Sequence, residues 1–238
     1  RTAFAIGYGE MKVLEGPVPV ADWSPEVELS MSPQAIRLAE QVMEDDPAFH
    51  AAFAEAIMLA EGETGSEGGK GGGKPHQRVA EYAAQQLRGD TRIAAFSLNG
   101  WDTHARQGRV ISTALTRLSD TITTLREDLG PEIWGKTAVV AMTEFGRTVR
   151  VNGTGGTDHG TGGAMFLAGG AVKGGKVYGQ WPGLSEDALY QRRDLMPTGD
   201  VRATAGWLLH GMAGLDRAAL EGTIFPGLDL GSDPGLLL

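Results

Sequence analysis

Three short stretches hold the residues able to do chemistry: Asn99-Gly100-Trp101-Asp102-Thr103-His104, Glu144-Phe145-Gly146-Arg147 and Thr157-Asp158-His159-Gly160. Together they offer Asp102, His104, Glu144, Asp158 and His159 as metal ligands. A mixed set of carboxylates and imidazoles without sulfur is what Zn, Mn, Fe or Mg sites use in hydrolases. The chain has no cysteine, so any metal site in it is built from His and carboxylates. Arg147 has a rationale of its own, because a guanidinium beside such a centre holds a tetrahedral oxyanion in a bidentate fork that Lys cannot match. Each residue also has a plainer reading. Asp102 could cap a following helix, His104 could sit in its first turn, and Glu144 could pair with Arg147. Taken jointly, these readings leave unexplained why acids and histidines gather in Gly-rich loops beside successive apolar runs, and a metal or anion site accounts for that. Of the remaining histidines, His50 and His76 fall on helical stretches elsewhere, and His210 in Trp207-Leu208-Leu209-His210 reads as a partly buried helix residue.

The elements that must position these loops follow from hydrophobic period. Arg92 to Leu98 is a short apolar run, a helical stretch follows from His104 to about Leu129 and ends at Gly130-Pro131, and Thr137 to Thr143 is a second, β-branched run. Strand, helix, strand predicts a right-handed βαβ unit, and the run Ala164 to Ala168 extends it. The expected fold class is therefore α/β, with a mostly parallel sheet flanked by helices and ligands at the carboxyl ends of its strands. Upstream, residues 1 to 61 read as a Pro- and Gly-rich lead-in, with room for a short strand, followed by two helices, from Ser32-Pro33 to Asp46 and from Pro47 to about Ala60. Gly62 to Lys74 reads as an exposed Gly-rich linker; the spacing and strand of a phosphate-cradling loop are missing. Pro75 to Arg88 predicts an amphipathic helix closed by Gly89, and residues 75 to 238 the α/β core.

Composition narrows the partners. Thirty acidic against 21 basic residues give a formal charge of -9, which argues against nucleic-acid or anionic-membrane binding. No apolar run is long enough to span a bilayer. The chain begins without Met, which suggests a processed product or a fragment.

The strings GWDTH, TAVVAMTEFGRT, GTDHGTGGAMFLAGG and GGKVYGQWPGL, in that order from roughly Ala80 to Gly227, resemble the domain of unknown function 1501 family. That family is often grouped with the alkaline phosphatase and sulfatase superfamily. The resemblance implies an alkaline-phosphatase-like fold, which truncation would leave incomplete, in which Asp102 and His104 look like the acid and His of a first metal and His159 like the late His before a strand. It implies one or two divalent ions, Zn or Mn first, and a small-molecule or polymer-borne phosphate or sulfate ester as substrate. It also implies a longer parent exported through a twin-arginine signal, of which this chain is an N-terminally truncated part. Two departures stand out. Phe145 occupies the place of a ligating His after Glu144, and nothing in residues 1 to 60 resembles the N-terminal strand and helix where the superfamily keeps its first metal-binding Asp and its nucleophile. A non-catalytic exported binding or scaffold protein, or an inactive fragment, is the alternative expectation.

Overall fold

The computed structural model describes residues 74–238 in full and the backbone of two strands, β1 (Ala3–Ile6) and β2 (Ala21–Trp23). The helices expected before residue 61 and the Gly-rich stretch up to residue 73 lie outside the described residues. The chain divides into two compact units, one of Arg1–Val79 with Thr91–Ser97 and one of Ala80–Asp90 with Leu98–Leu238.

In the first unit, β1 pairs in parallel with β2 and with β3 (Ile93–Phe96), in the order β2-β1-β3. The register matches Phe4 with Ala21 and Ala94, and Ile6 with Trp23 and Phe96.

Helix α1 (Pro75–Arg88) forms where its period predicts. Pro75 sits at the first helical position, where its missing N–H costs nothing, and the side chain of Gln77 accepts from the Lys74 N–H at 3.0 Å. Its buried face is Ala80, Tyr82, Ala83 and Ala84, and Arg88 donates to the carbonyl of Asp128 at 3.0 Å. Helix α2 (Gln107–Trp134) is broken at Gly130, whose φ of 68° and ψ of 170° are not helical, and Pro131 starts the short turn after it. Ala114, Thr121, Leu125 and Leu129 form its buried stripe, at the spacing of one helical face.

The pairing of the later strands overturns the expected fold class. β4 (Val139–Ala141) pairs with β7 (Phe166–Ala168) antiparallel, Val140 opposite Leu167, and β5 (Gly146–Arg147) pairs with β6 (His159–Gly160) antiparallel, Arg147 opposite His159. The two pairs are nested about one reversal at Asn152–Gly156, where the Gly155 N–H bonds to the Asn152 carbonyl at 3.1 Å. Residues 139–168 thus make one interrupted hairpin. Among the described residues β3 pairs with β1 and β4 with β7, so neither the βαβ unit nor a parallel sheet flanked by helices in the alkaline-phosphatase manner is formed there, and the parallel ladder is the short β2-β1-β3. The physical reason is that short apolar runs look alike in parallel and antiparallel ladders, so the direction is set by the connection. Here the chain between β4 and β7 doubles back through β5 and β6 instead of crossing over through a helix.

The base of this hairpin is anchored in the second unit's core. Helix α3 (Val201–Ala213), capped by the Asp200 carboxylate on the Arg202 N–H, and the short α4 (Arg217–Ala219) with the π-turn Leu220–Ile224 supply Trp207, Leu208 and Leu220. These pack with Leu228, Leu230 and Leu236, and Val140 and Leu167 of the β4/β7 base lie against them. The Trp207 indole N–H donates to the Leu230 carbonyl at 2.9 Å, which leaves the buried ring with no orphaned donor. The tip of the hairpin, away from this core, carries the functional residues. Among the described residues no helix is long and apolar enough to cross a membrane.

Candidate metal centre

The site is built where the loop Gly100–Arg106 lies along the hairpin tip. The Thr157 N–H bonds to the Thr103 carbonyl at 3.1 Å, Arg106 N–H to Thr154 O at 3.1 Å and Gln107 N–H to Gly155 O at 2.9 Å. These bonds hold Ala105 and Arg106 in a bridge to the hairpin, with Arg106 at a φ of 48°, so α2 starts at Gln107 and His104 stays outside it. Asp102 caps no helix, because the N-cap of α2 is Arg106 and makes no side-chain cap bond.

Close approach depends on glycine at the tip. A Cβ on Gly156 would collide with the backbone carbonyls of His104 and Thr103, so a side chain there would push the His104 strand away. Beneath it, the Gln107 side-chain oxygen accepts from the buried hydroxyls of Thr103 at 2.8 Å and Thr157 at 2.6 Å, locking loop to hairpin.

At the surface, Asp102 Oδ1, His104 Nε2 and His159 Nε2 converge. Asp102 Oδ1 is 3.0 Å from each imidazole nitrogen, and the two nitrogens are 3.1 Å apart. These side chains are roughly half exposed, which leaves one side open to solvent. The Asp158 Oδ1 lies 3.3 Å from His104 Nδ1 and accepts from the Asn152 amide at 2.9 Å. A carboxylate oxygen only accepts, and His104 faces one through each ring nitrogen, Asp158 through Nδ1 and Asp102 through Nε2, so a proton on Nδ1 alone is what would leave Nε2 free to bind an ion. One carboxylate oxygen and two imidazole nitrogens at these distances need either protons or a shared cation between them. For metal bonds of about 2.0–2.1 Å, neighbouring ligand atoms stand about 3.3 Å apart in a tetrahedron and about 2.9 Å in an octahedron. The observed edges fall between the two, and the donor set of one carboxylate and two imidazoles fits a divalent transition metal.

Arg147 reaches the same group from β5. Its Nη2 donates to Asp102 Oδ1 at 2.7 Å and to the Trp101 carbonyl at 2.9 Å, and its Nη1 to the Thr157 carbonyl at 2.9 Å. Hydrogen bonds from His159 first, and then from Arg147, hold the Asp102 carboxyl below its usual range, so it stays anionic. Bonds from Asn152 first and then His104 do the same for Asp158. The Phe145 ring lies 4.0 Å from that of His159 at 30°, fixing its plane.

Of the residues singled out in the sequence, Asp102, His104, Asp158, His159 and Arg147 are thus brought together. Glu144 is not among them. It is exposed and, among the described residues, accepts from its neighbour Thr143 alone, at 3.2 Å, and the guanidinium of Arg147 goes to Asp102 instead. His210 lies on exposed α3 surface, its Nδ1 2.7 Å from the Leu215 carbonyl. Sequence reasoning missed Asn152 and Gln107. Asn152 donates to the His104 carbonyl at 2.9 Å and to Asp158, and its side-chain oxygen accepts from the N–H groups of Thr154 and Gly156, both at 3.0 Å. The signal available was Asn152-Gly153, a turn dipeptide that marks a reversal but not what the amide holds.

No curated protein and no solved structure matches the chain. A family model described as "Protein of unknown function (DUF1501)" matches residues 32–207, and the chain belongs to that family.

Proposed function

We propose that the chain binds one divalent metal ion, Zn or Mn first, through Asp102, His104 and His159, and uses it in the hydrolysis of phosphate or sulfate esters. The observation that carries this reading is the convergence of three potential ligand atoms, with His104 oriented from behind by Asp158. A bound ion supplies Lewis acidity, polarising an ester oxygen. The chain's own residues set the stage for it. Asp158 and Asn152 fix the tautomer and angle of His104, and Phe145 fixes the plane of His159. Arg147 acts here as a positioning residue, since both its Nη atoms are directed at Asp102 and at backbone carbonyls.

No side-chain hydroxyl among the described residues bonds to the imidazoles. Thr103 is tied to Gln107 and Thr143 to Glu144. This favours direct attack by water over a covalent enzyme intermediate. It equally supports a second reading, a metal-holding binding protein without turnover. Assay of the metal-loaded chain with aryl phosphate and aryl sulfate esters separates the two. Multiple turnover that disappears in Asp102→Ala and His159→Ala supports the hydrolase, and stoichiometric metal with no hydrolysis of either ester class rejects it in favour of the binding role.

A further inference from the structure

Beside the metal group, the first turns of α2 form the floor of an open cleft of about 520 Å³, lined by Gly100, Ala105, Arg106, Arg109, Val110 and Arg117. Gly100 and Ala105 are the two ends of the loop whose middle carries Asp102 and His104, so cleft and metal group share one wall. Three cations therefore gather here in a chain whose formal charge is -9. From Thr103 to Ser119 the sequence contains no acid, and the first turn of α2 contains none.

That distribution runs against ordinary electrostatics. A helix N-terminus carries partial positive charge and favours Asp or Glu, whereas this one presents Arg106 and Arg109, three residues apart on one face. Arg117 continues the face and donates to the Asn99 carbonyl at 3.2 Å. The side chains of Arg106 and Arg109 make no hydrogen bond or ion pair with the described residues. Gly100 stands at a φ of 104°, where a Cβ would lie 3.2 Å from the Arg117 guanidinium, so glycine keeps this end of the cleft clear.

We propose that this cleft is an anion subsite that takes a tetrahedral oxyanion, phosphate or sulfate, on Arg106, Arg109 and Arg117. Planar guanidinium forks match such an oxyanion bidentately, and they remain charged at every physiological pH. Resting on the hydrolase reading for its consequence, the subsite defines the substrate class as a polyanionic ester, with one charged group at the metal and a second in the cleft.

The test uses the full chain after chelation, so that no metal contributes, titrated calorimetrically at low ionic strength with inorganic sulfate and inorganic phosphate. The expected result is saturable binding, weakened about tenfold in Arg109→Gln and further in Arg109→Gln/Arg117→Gln, with Arg109→Lys between wild type and Arg109→Gln. Circular dichroism checks that the variants remain folded. Absence of binding to the wild-type chain, or equal binding by wild type and the double variant, overturns the subsite. Metal content of the untreated chain is read separately, so failure of the subsite leaves the metal reading standing and the reverse is equally visible.

Discussion

His104 and His159 face each other through their Nε2 atoms at 3.1 Å, one from the loop Gly100–Arg106 and the other from β6. Two imidazoles in this arrangement share a carboxylate oxygen of Asp102, and their mutual orientation depends on partners outside the trio. Asp158 is one of these. Its replacement by Asn removes the anionic acceptor behind His104 Nδ1 while keeping the shape of the side chain. The expected outcome is a loss of metal affinity of about 10–100-fold, the usual effect of removing an outer-shell partner, with an unchanged circular dichroism spectrum. Competition with a chromophoric chelator measures it, and wild-type affinity in Asp158→Asn removes this carboxylate from the site.

Gly156 is where backbone geometry meets function. Gly156→Ala places a methyl against the His104 backbone and is expected to cost about 1–3 kcal/mol of stability and to weaken metal binding. A methyl on Gly153, three residues earlier, would meet nothing within 4 Å. Gly153→Ala is therefore the control, expected to bind metal as wild type does. Thermal melts with and without added metal compare the two, and equal behaviour contradicts the close packing of loop on hairpin.

Leu220 is fully buried in the cluster that anchors the hairpin base. Leu220→Ala is expected to destabilise the chain by about 2–5 kcal/mol, through lost apolar burial and the cavity left behind. Urea denaturation reads this directly, and a cost below about 1 kcal/mol is incompatible with the packing described.

Glu221 accepts from Arg217 at 2.7 Å and from the Leu230 N–H at 3.0 Å, and the Arg217 bond first, then the Leu230 bond, lower its pKa from the ordinary 4.5. Folded below unfolded pKa means that its contribution is present in full above the ordinary carboxylate value and lost as pH falls through the depressed one. The melting temperature of wild type is therefore expected to exceed that of Glu221→Gln by a constant margin near neutral pH. The margin shrinks only below about pH 4.5. A margin that grows on acidification contradicts this assignment.

How much was legible beforehand divides along physical lines. Helix α1 was readable from Pro75, the apolar period and Gly89, and the end of the long helix from Gly130-Pro131, because these signals act locally. Strand direction was not, since Val139–Ala141 and Phe166–Ala168 carry no mark of which way their partner runs, and the parallel sheet inferred from them is replaced by an antiparallel hairpin. The gathering of Asp102, His104, Asp158 and His159 was foreseen for a different reason from the one that operates: they meet across a hairpin tip rather than at the carboxyl edge of a sheet. Glu144 shows the limit of reading by residue type, because it lies in the bend between β4 and β5, where its side chain is exposed and bonds to Thr143 instead of joining the site. Asn152 shows the converse, a side chain whose importance comes from five hydrogen bonds, four within the hairpin tip and one across to the His104 carbonyl.

Metal content of the purified chain, measured by elemental mass spectrometry after incubation with Zn or Mn and removal of excess, tests the centre most directly. The expected result is about one ion per chain, the capacity of a single three-ligand group, with His104→Ala and His159→Ala each losing it. A chain that stays metal-free, or that keeps its ion in both variants, contradicts the assignment of Asp102, His104 and His159 as a metal site.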